Sequence, residues 1–290
     1  MRKLLILSGK GGTGKTTVAA AFIDFLRAKA FADCDVDAPN LHLVTRMDIH
    51  PERKDYYGSQ KAIIDPFRCT GCGLCLAKCR FSAITQYNSH CKINEYACEG
   101  CGICQYVCPA NAVSLVDDVA GEQILYKGSR VFSTAKLKMG RGNSGKLVTE
   151  VKTALFKFVP KNEFAIIDGS PGIGCPVIAS VSGVDLVLIV TEPSLSGIHD
   201  MRRILKTTRL LGTKVAVCVN KSDTCPQNAK AIQSFCAEND TPFVGLIPYD
   251  KQVAVAINAG HSLADVDCPA RTALKSVLEK VLPLLKESRK

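Results

Sequence analysis

The chain has 290 residues, a formal net charge of +10, 47% apolar residues and 22% charged ones. That balance excludes a disordered or low-complexity chain, and no apolar run approaches the roughly 18 residues of a membrane span. The first seven residues hold two basic residues and a short apolar run, too little for a secretory signal. The sequence therefore predicts a cytoplasmic protein without stable membrane insertion.

In chain order, Arg2–Ser8 reads as a buried strand and Gly9–Gly14 as a glycine-rich turn. Thr16–Ala30 has helical spacing of its apolar residues, and Phe31–Asp35 reads as a short strand with acidic residues at its end. From about Ile63 to Val116 the texture changes to cysteine-rich. Beyond it, strands are expected at Phe164–Asp168, Leu186–Thr191, Val215–Asn220 and Phe243–Ile247. Helices are expected at Gly197–Leu211, Ala229–Glu238 and Ala270–Leu285. Strands alternating with helices imply an α/β fold, a mostly parallel sheet flanked by helices. The expected domains are 1–61 with 117–290, interrupted by a small domain at 62–116.

Fifteen cysteines, nine of them from Cys69 to Cys108, are an odd count without an export signal. That argues for metal or catalytic thiols over a disulfide framework. Cys69, Cys72, Cys75 and Cys79 have the spacing C-x2-C-x2-C-x3-C, and Cys98, Cys101, Cys104 and Cys108 repeat it before Pro109. This is the run of bacterial two-cluster ferredoxins, in which the fourth cysteine serves the other cluster. The assignment is Cys69, Cys72, Cys75 and Cys108 for one [4Fe–4S] cluster and Cys98, Cys101, Cys104 and Cys79 for the second. Gly71, Gly73, Gly100 and Gly102 keep the loops compact. Structural zinc is the rival, and it more often uses two separated cysteine pairs. Two oxidised clusters with their thiolates would bring the working charge to about +6. Some 50 residues make a poor core, so metal is expected to hold this segment together. Arg80 stands where such a run usually has proline, placing positive charge near the second cluster. Cys91, Cys218 and Cys236 read as small buried apolar residues.

Gly9-Lys10-Gly11-Gly12-Thr13-Gly14-Lys15-Thr16 fits G-x-x-x-x-G-K-T between a strand and a helix. Its glycines turn backbone N–H groups toward phosphate, and the helix N-terminus adds its positive end. Lys15 is expected on the β- and γ-phosphates, Thr16 on Mg2+, and Thr17 near phosphate.

The run from Gly9 to Thr17 resembles the deviant Walker A motif of MinD/ParA-type ATPases, a group that includes the nitrogenase iron protein. The stretch from Asp33 to Leu41 resembles the family's second strand and first switch. Asp168-Gly169-Ser170-Pro171-Gly172 resembles its Walker B strand and second switch. Asn220 to Asp223, and Pro248 after Ile247, match regions that usually contact adenine. The resemblance implies a P-loop fold, ATP or ADP with Mg2+, and a homodimer enclosing the nucleotide. In it Lys10 reaches across to the partner's nucleotide, Asp168 faces Mg2+ and Asp35 orients the attacking water. Asp33 and Asp37 are alternatives for that last role. A cysteine near the position of Cys175 holds a bridging cluster in the iron protein, but a second such cysteine is missing here.

The combined reading is an ATP-hydrolysing switch that couples nucleotide state to electron transfer toward a redox or acidic protein partner. Two other classes stay open: an iron–sulfur assembly or carrier ATPase, and a partition or positioning ATPase on DNA, the less favoured partner. Residues 121–161 carry nine Lys or Arg against two acids. They read as a solvated basic face or a docking surface. The helix from Ala270 reads as packing on the sheet rather than as a membrane-targeting tail.

Overall fold

The structure is a computed structural model that describes residues 1–159 and 164–287. Lys161 of the basic stretch lies outside the described residues. Two compact units divide the chain. One comprises Met1–Arg53, Gln123–Lys136 and Ser144–Lys290; the other comprises Lys54–Glu122 and Leu137–Asn143. The second unit extends on both sides of the cysteine-rich 62–116.

The apolar run at the N-terminus forms β1 (Arg2–Leu7), whose last four residues are buried. The phosphate loop leads into α1 (Lys15–Phe25), and β2 (Ala30–Asp33) follows. This helix is shorter than expected, and Ala30 belongs to the strand. Arg27 adopts a left-handed φ of 47°, which stops the helix and turns the chain at once.

The chain continues through β3 (Glu52–Tyr57), β4 (Lys61–Ile64), α2 (Leu74–Lys78), β5 (Ile84–Tyr87) and β6 (His90–Ile93). Next come α3 (Ile103–Tyr106), β7 (Val113–Val116), β8 (Val119–Lys127), β9 (Val131–Leu137) and α4 (Ser144–Phe158). Then follow β10 (Phe164–Asp168), α5 (Cys175–Val181), β11 (Leu186–Thr191) and α6 (Leu195–Leu210). The last elements are β12 (Lys214–Asn220), α7 (Pro226–Glu238), β13 (Phe243–Ile247), α8 (Lys251–Asn258) and α9 (Pro269–Lys286).

The main sheet runs β13-β12-β11-β1-β10-β2-β9-β8-β3. Every pair from β13 to β9 is parallel. Strands such as β11, six buried residues in a row, have both faces covered. On one face α1 and α9 pack together, with Phe22 and Ile23 beside Leu274, Val277 and Val281 in one core. Six residues of α9 are buried, so this helix belongs to the core. Among the described residues, no helix is long and apolar enough to cross a membrane.

The second unit has two small antiparallel ladders, β4 with β7 and β5 with β6. Its apolar clusters are tiny, and cysteines are part of them: Ala62, Ala83, Cys98 and Val113 in one, Cys75, Ile84 and Cys91 in the other. A core of that size stabilises little by itself.

Of the basic stretch, Lys127, Lys136, Lys138, Lys146 and Lys157 are exposed, whereas Arg141 and Lys152 are committed inside the fold. Arg141 pairs with Glu95 at 2.6 Å and Asp118 at 3.0 Å. Lys152 is buried, and its ammonium donates to the carbonyls of Ala179, Ser180 and Ser182 at 2.8, 2.7 and 2.6 Å. It thereby caps the carbonyl end of α5. Lys152→Met keeps the stem but strands those carbonyls, and should cost about 2 to 4 kcal/mol of stability. Urea unfolding measures it; an unchanged midpoint would contradict the capping role.

Candidate functional site

Residue order at three adjacent strand ends builds the nucleotide site. β10 pairs with β1 on one side and β2 on the other, in a register that sets Asp168 opposite both Ile6 and Asp33. The phosphate loop leaves β1 at that end. Gly14 caps α1 with a φ of 89°, and a Cβ there would collide with the Asn220 amide. Glycine is therefore required twice over, by conformation and by space.

Asp168, 1% exposed, accepts from Lys15 Nζ at 2.5 Å and from Thr16 Oγ1 at 2.6 Å. Burial works against the Lys15 ammonium, but the carboxylates of Asp168 and Asp33 hold its pKa above the ordinary lysine value. Three of the predicted residues thus meet in one buried cluster.

The three candidate aspartates of the first switch are treated differently. Asp33 is buried, Asp35 half-buried and Asp37 exposed. Asp33 accepts backbone N–H groups from Asp35 at 3.0 Å, Asn40 at 2.8 Å and Leu41 at 2.9 Å. It therefore shapes the loop that carries Asp35. Ser170 Oγ donates to the Cys34 carbonyl at 2.6 Å, tying the stretch after β10 to that same loop. Burial raises the pKa of Asp35. Burial also pushes the Cys34 thiol up to about 12, as expected of an inert core cysteine. Cys175 is exposed at the start of α5.

Lys10, the first lysine of the loop, folds back onto its own chain. It forms an ion pair with Glu192, and its Nζ lies 3.3 and 3.2 Å from the Ser194 and Ser196 hydroxyls. Lys221 also reaches Glu192, at 3.4 Å. Glu192 was not legible as a site residue: one acid after an apolar strand gives no signal until β11 is set beside β1. Asn220 Nδ2 donates to the Thr13 carbonyl at 2.8 Å, and Lys221 Nζ to that of Gly12 at 2.9 Å. Gly12, Gly14, Thr17, Asn220 and Pro248 share one pocket beside the loop, floored by Val18.

In the second unit the cysteines fall into two groups. Cys69, Cys72, Cys75 and Cys108 line one cavity, and Cys79, Cys98, Cys101 and Cys104 line another. Gly100 turns the second loop with a φ of 67°, where a Cβ would collide with the Gln60 carbonyl. Backbone N–H groups point at the sulfurs: Ala112 to Cys108 at 3.3 Å and Ala62 to Cys98 at 3.5 Å. Buried Lys61 donates to the Cys98 carbonyl. Among the described residues, no three His, Cys, Asp or Glu converge on the position of one metal ion.

A loop of this form at the end of a central parallel strand defines a P-loop nucleotide-binding protein. Residues 4–263 match the CobQ/CobB/MinD/ParA nucleotide-binding domain family, and the chain belongs to it as an ATPase of the MinD/ParA class. Among its relatives, the uncharacterized protein MJ0578 of Methanocaldococcus jannaschii is 32% identical, over 96% of this chain and 96% of its own. The iron-sulfur cluster carrier protein of Pyrococcus abyssi is 25% identical, over 98% of this chain and 87% of its own. The septum site-determining protein MinD of Pyrococcus horikoshii, solved with Mg-ADP, shares the fold. Its TM-score is 0.57 at 17% identity, covering 100% of this chain and 99% of that one.

Asp33 gives a pH signature. Burial, then the neighbouring Asp168, pushes its pKa from 3.8 up to about 7. Between about pH 4 and pH 7 the folded state keeps a proton that the unfolded chain releases, so stability contributed at Asp33 falls as pH rises through that window. The stability of the wild type relative to Asp33→Asn should be greatest near the acid end and decline toward neutrality. Urea midpoints measured across this range test it; a constant difference would contradict it.

Proposed function

We propose that this protein is a nucleotide-switched iron–sulfur ATPase, a homodimer that couples its ATP state to electron transfer toward a protein partner. The observation that carries the reading is the pair of cysteine-lined cavities, one holding each of the two predicted sets of four, in a chain that also holds a complete phosphate loop. The predicted donor sets, each crossing between the two cysteine runs, suit two [4Fe–4S] clusters. Bound there, the clusters would supply one-electron chemistry and the cohesion that the small apolar clusters lack.

In the nucleotide site, Lys15 and the loop backbone would hold the β- and γ-phosphates, and Thr16 and Asp168 would hold Mg2+. With Lys15 drawn onto phosphate, Asp168 would lose its present cation, and bound Mg2+ would supply the replacement charge. Asp35 orients the attacking water, a role that rests on positioning. Asn220 and Pro248 flank the base. Lys10 leaves Glu192 and reaches the partner's phosphate, so dimer closure has to outweigh a local ion pair. That pair is half-exposed and therefore weak enough to exchange.

A second reading is supported by the relative from Pyrococcus abyssi, whose name describes an iron–sulfur cluster carrier. In that reading the clusters leave during ATP turnover. Partition on DNA is less favoured, because Lys152 and Arg141 of the basic stretch are occupied within the fold.

Anaerobically purified protein should contain about eight irons and eight sulfides per chain. Stoichiometric zinc without sulfide would defeat the cluster assignment. Retention of that iron through MgATP turnover with a chelator present favours electron transfer; its loss favours the carrier.

Asp35→Asn should bind ATP nearly normally but hydrolyse it at least about tenfold more slowly, because only water orientation is removed. A normal rate would move the role to Asp33 or Asp37. Lys10→Ala in that background should still bind ATP but lose ATP-induced dimerisation, read by light scattering. Equal dimer fractions with and without Lys10 would leave it a loop residue paired to Glu192.

A further inference from the structure

Cys91 lies outside both cysteine runs, and its sequence context reads as a small buried apolar residue. The structure gives it a different setting. Cys91 is 2% exposed and lines the same cavity as Cys69, Cys72, Cys75 and Cys108. Its backbone N–H donates to Cys69 Sγ at 3.5 Å, and it shares a small buried cluster with Cys75. Among the described residues the second cavity has no fifth cysteine.

The hairpin of β5 and β6 fixes the place of this side chain. Gln86 stands opposite Cys91 in the ladder, and the Cys91 thiol donates to Gln86 Oε1 at 3.5 Å. Gln86 Nε2 donates to the Asn88 carbonyl at 3.2 Å, which turns the acceptor end of the amide toward the sulfur. Cys91 is thereby held on the cavity wall beside Cys69 and Cys75.

We propose that Cys91 is a reserve ligand of the first cluster, taking over the iron that Cys75 holds when that bond opens. This rests on the two-cluster reading above. In the exchange the bond from iron to the Cys75 sulfur breaks and one to the Cys91 sulfur forms. The Cys91 proton passes to the departing Cys75 sulfur. Where Cys75 is absent the proton goes to water. Iron keeps its oxidation state, and no electron moves. The two clusters therefore differ: the first survives the loss of one ligand, and the second does not.

The test compares anaerobically purified wild type, Cys75→Ala, Cys91→Ala, the Cys75→Ala/Cys91→Ala double variant and Cys104→Ala. Iron and sulfide are counted, and EPR spectra are recorded after reduction. Wild type should hold about eight irons. Without iron and sulfide in the wild type, the cluster reading itself fails, and the reserve role falls with it. Given a loaded wild type, Cys75→Ala and Cys91→Ala should each keep the full iron content, with a shifted EPR signal in Cys75→Ala alone. The double variant and Cys104→Ala should each fall to about half. Both position-75 variants carry the same alanine, so a packing defect there lowers both, and only the thiol at 91 separates them. Equal iron loss in Cys75→Ala and the double variant would overturn the proposal. So would loss of the cluster in Cys91→Ala alone, which would make Cys91 structural.

Discussion

A carboxylate buried at the end of a central strand governs the nucleotide site. Asp168 is almost wholly removed from water, and a buried charge without a partner costs several kcal/mol. Lys15 and Thr16 meet that demand from the loop after β1, and the parallel register of β1, β10 and β2 puts them within reach. The same register sets Asp33 against Asp168, so two acids share the field of one lysine. Any ligand that draws Lys15 away must bring a cation to the acids left behind. In the proposed reading, nucleotide arriving with a divalent ion meets that condition.

From this cluster the two switch stretches take their positions. Asp33 gathers the N–H groups of Asp35, Asn40 and Leu41, and Ser170 holds the Cys34 carbonyl. A change of charge at Asp168 or Asp33 is therefore felt directly by the loop that carries Asp35. Beyond α5, Lys152 spends its charge on three carbonyls at the helix end, so the segment after the second switch ends on a fixed element. The proposed switch thus has a rigid frame and two short loops whose geometry depends on one electrostatic balance.

What was legible in the sequence was local. Gly9 to Thr16 is contiguous, so its spacing alone conveys phosphate binding, and each cysteine run, within eleven residues, makes a pattern visible in the chain. The strands at Phe164–Asp168 and Phe243–Ile247 have the bounds their apolar runs suggest. The illegible parts depend on distant partners. Glu192 becomes a site residue only when β11 lies beside β1. Cys91 looks like any apolar cysteine until the β5–β6 ladder places it opposite Gln86 and beside Cys75. Lys152 looks like surface charge until α5 ends against it. The early end of α1 at Phe25 came from a left-handed Arg27, a backbone choice that no propensity favours.

The central claim is that nucleotide state and cluster chemistry are coupled within one protein. Two cysteine-lined cavities and a phosphate loop supply the parts, and the ion pairs of Asp168 and Lys10 supply the elements that nucleotide must rearrange. The most direct measurement is an EPR-monitored redox titration of the reconstituted homogeneous protein, without nucleotide and with MgATP in the Asp35→Asn background. The account predicts that at least one cluster midpoint potential shifts when MgATP binds while both clusters remain bound. Identical potentials in the two states, with both clusters present and ATP bound, would contradict it.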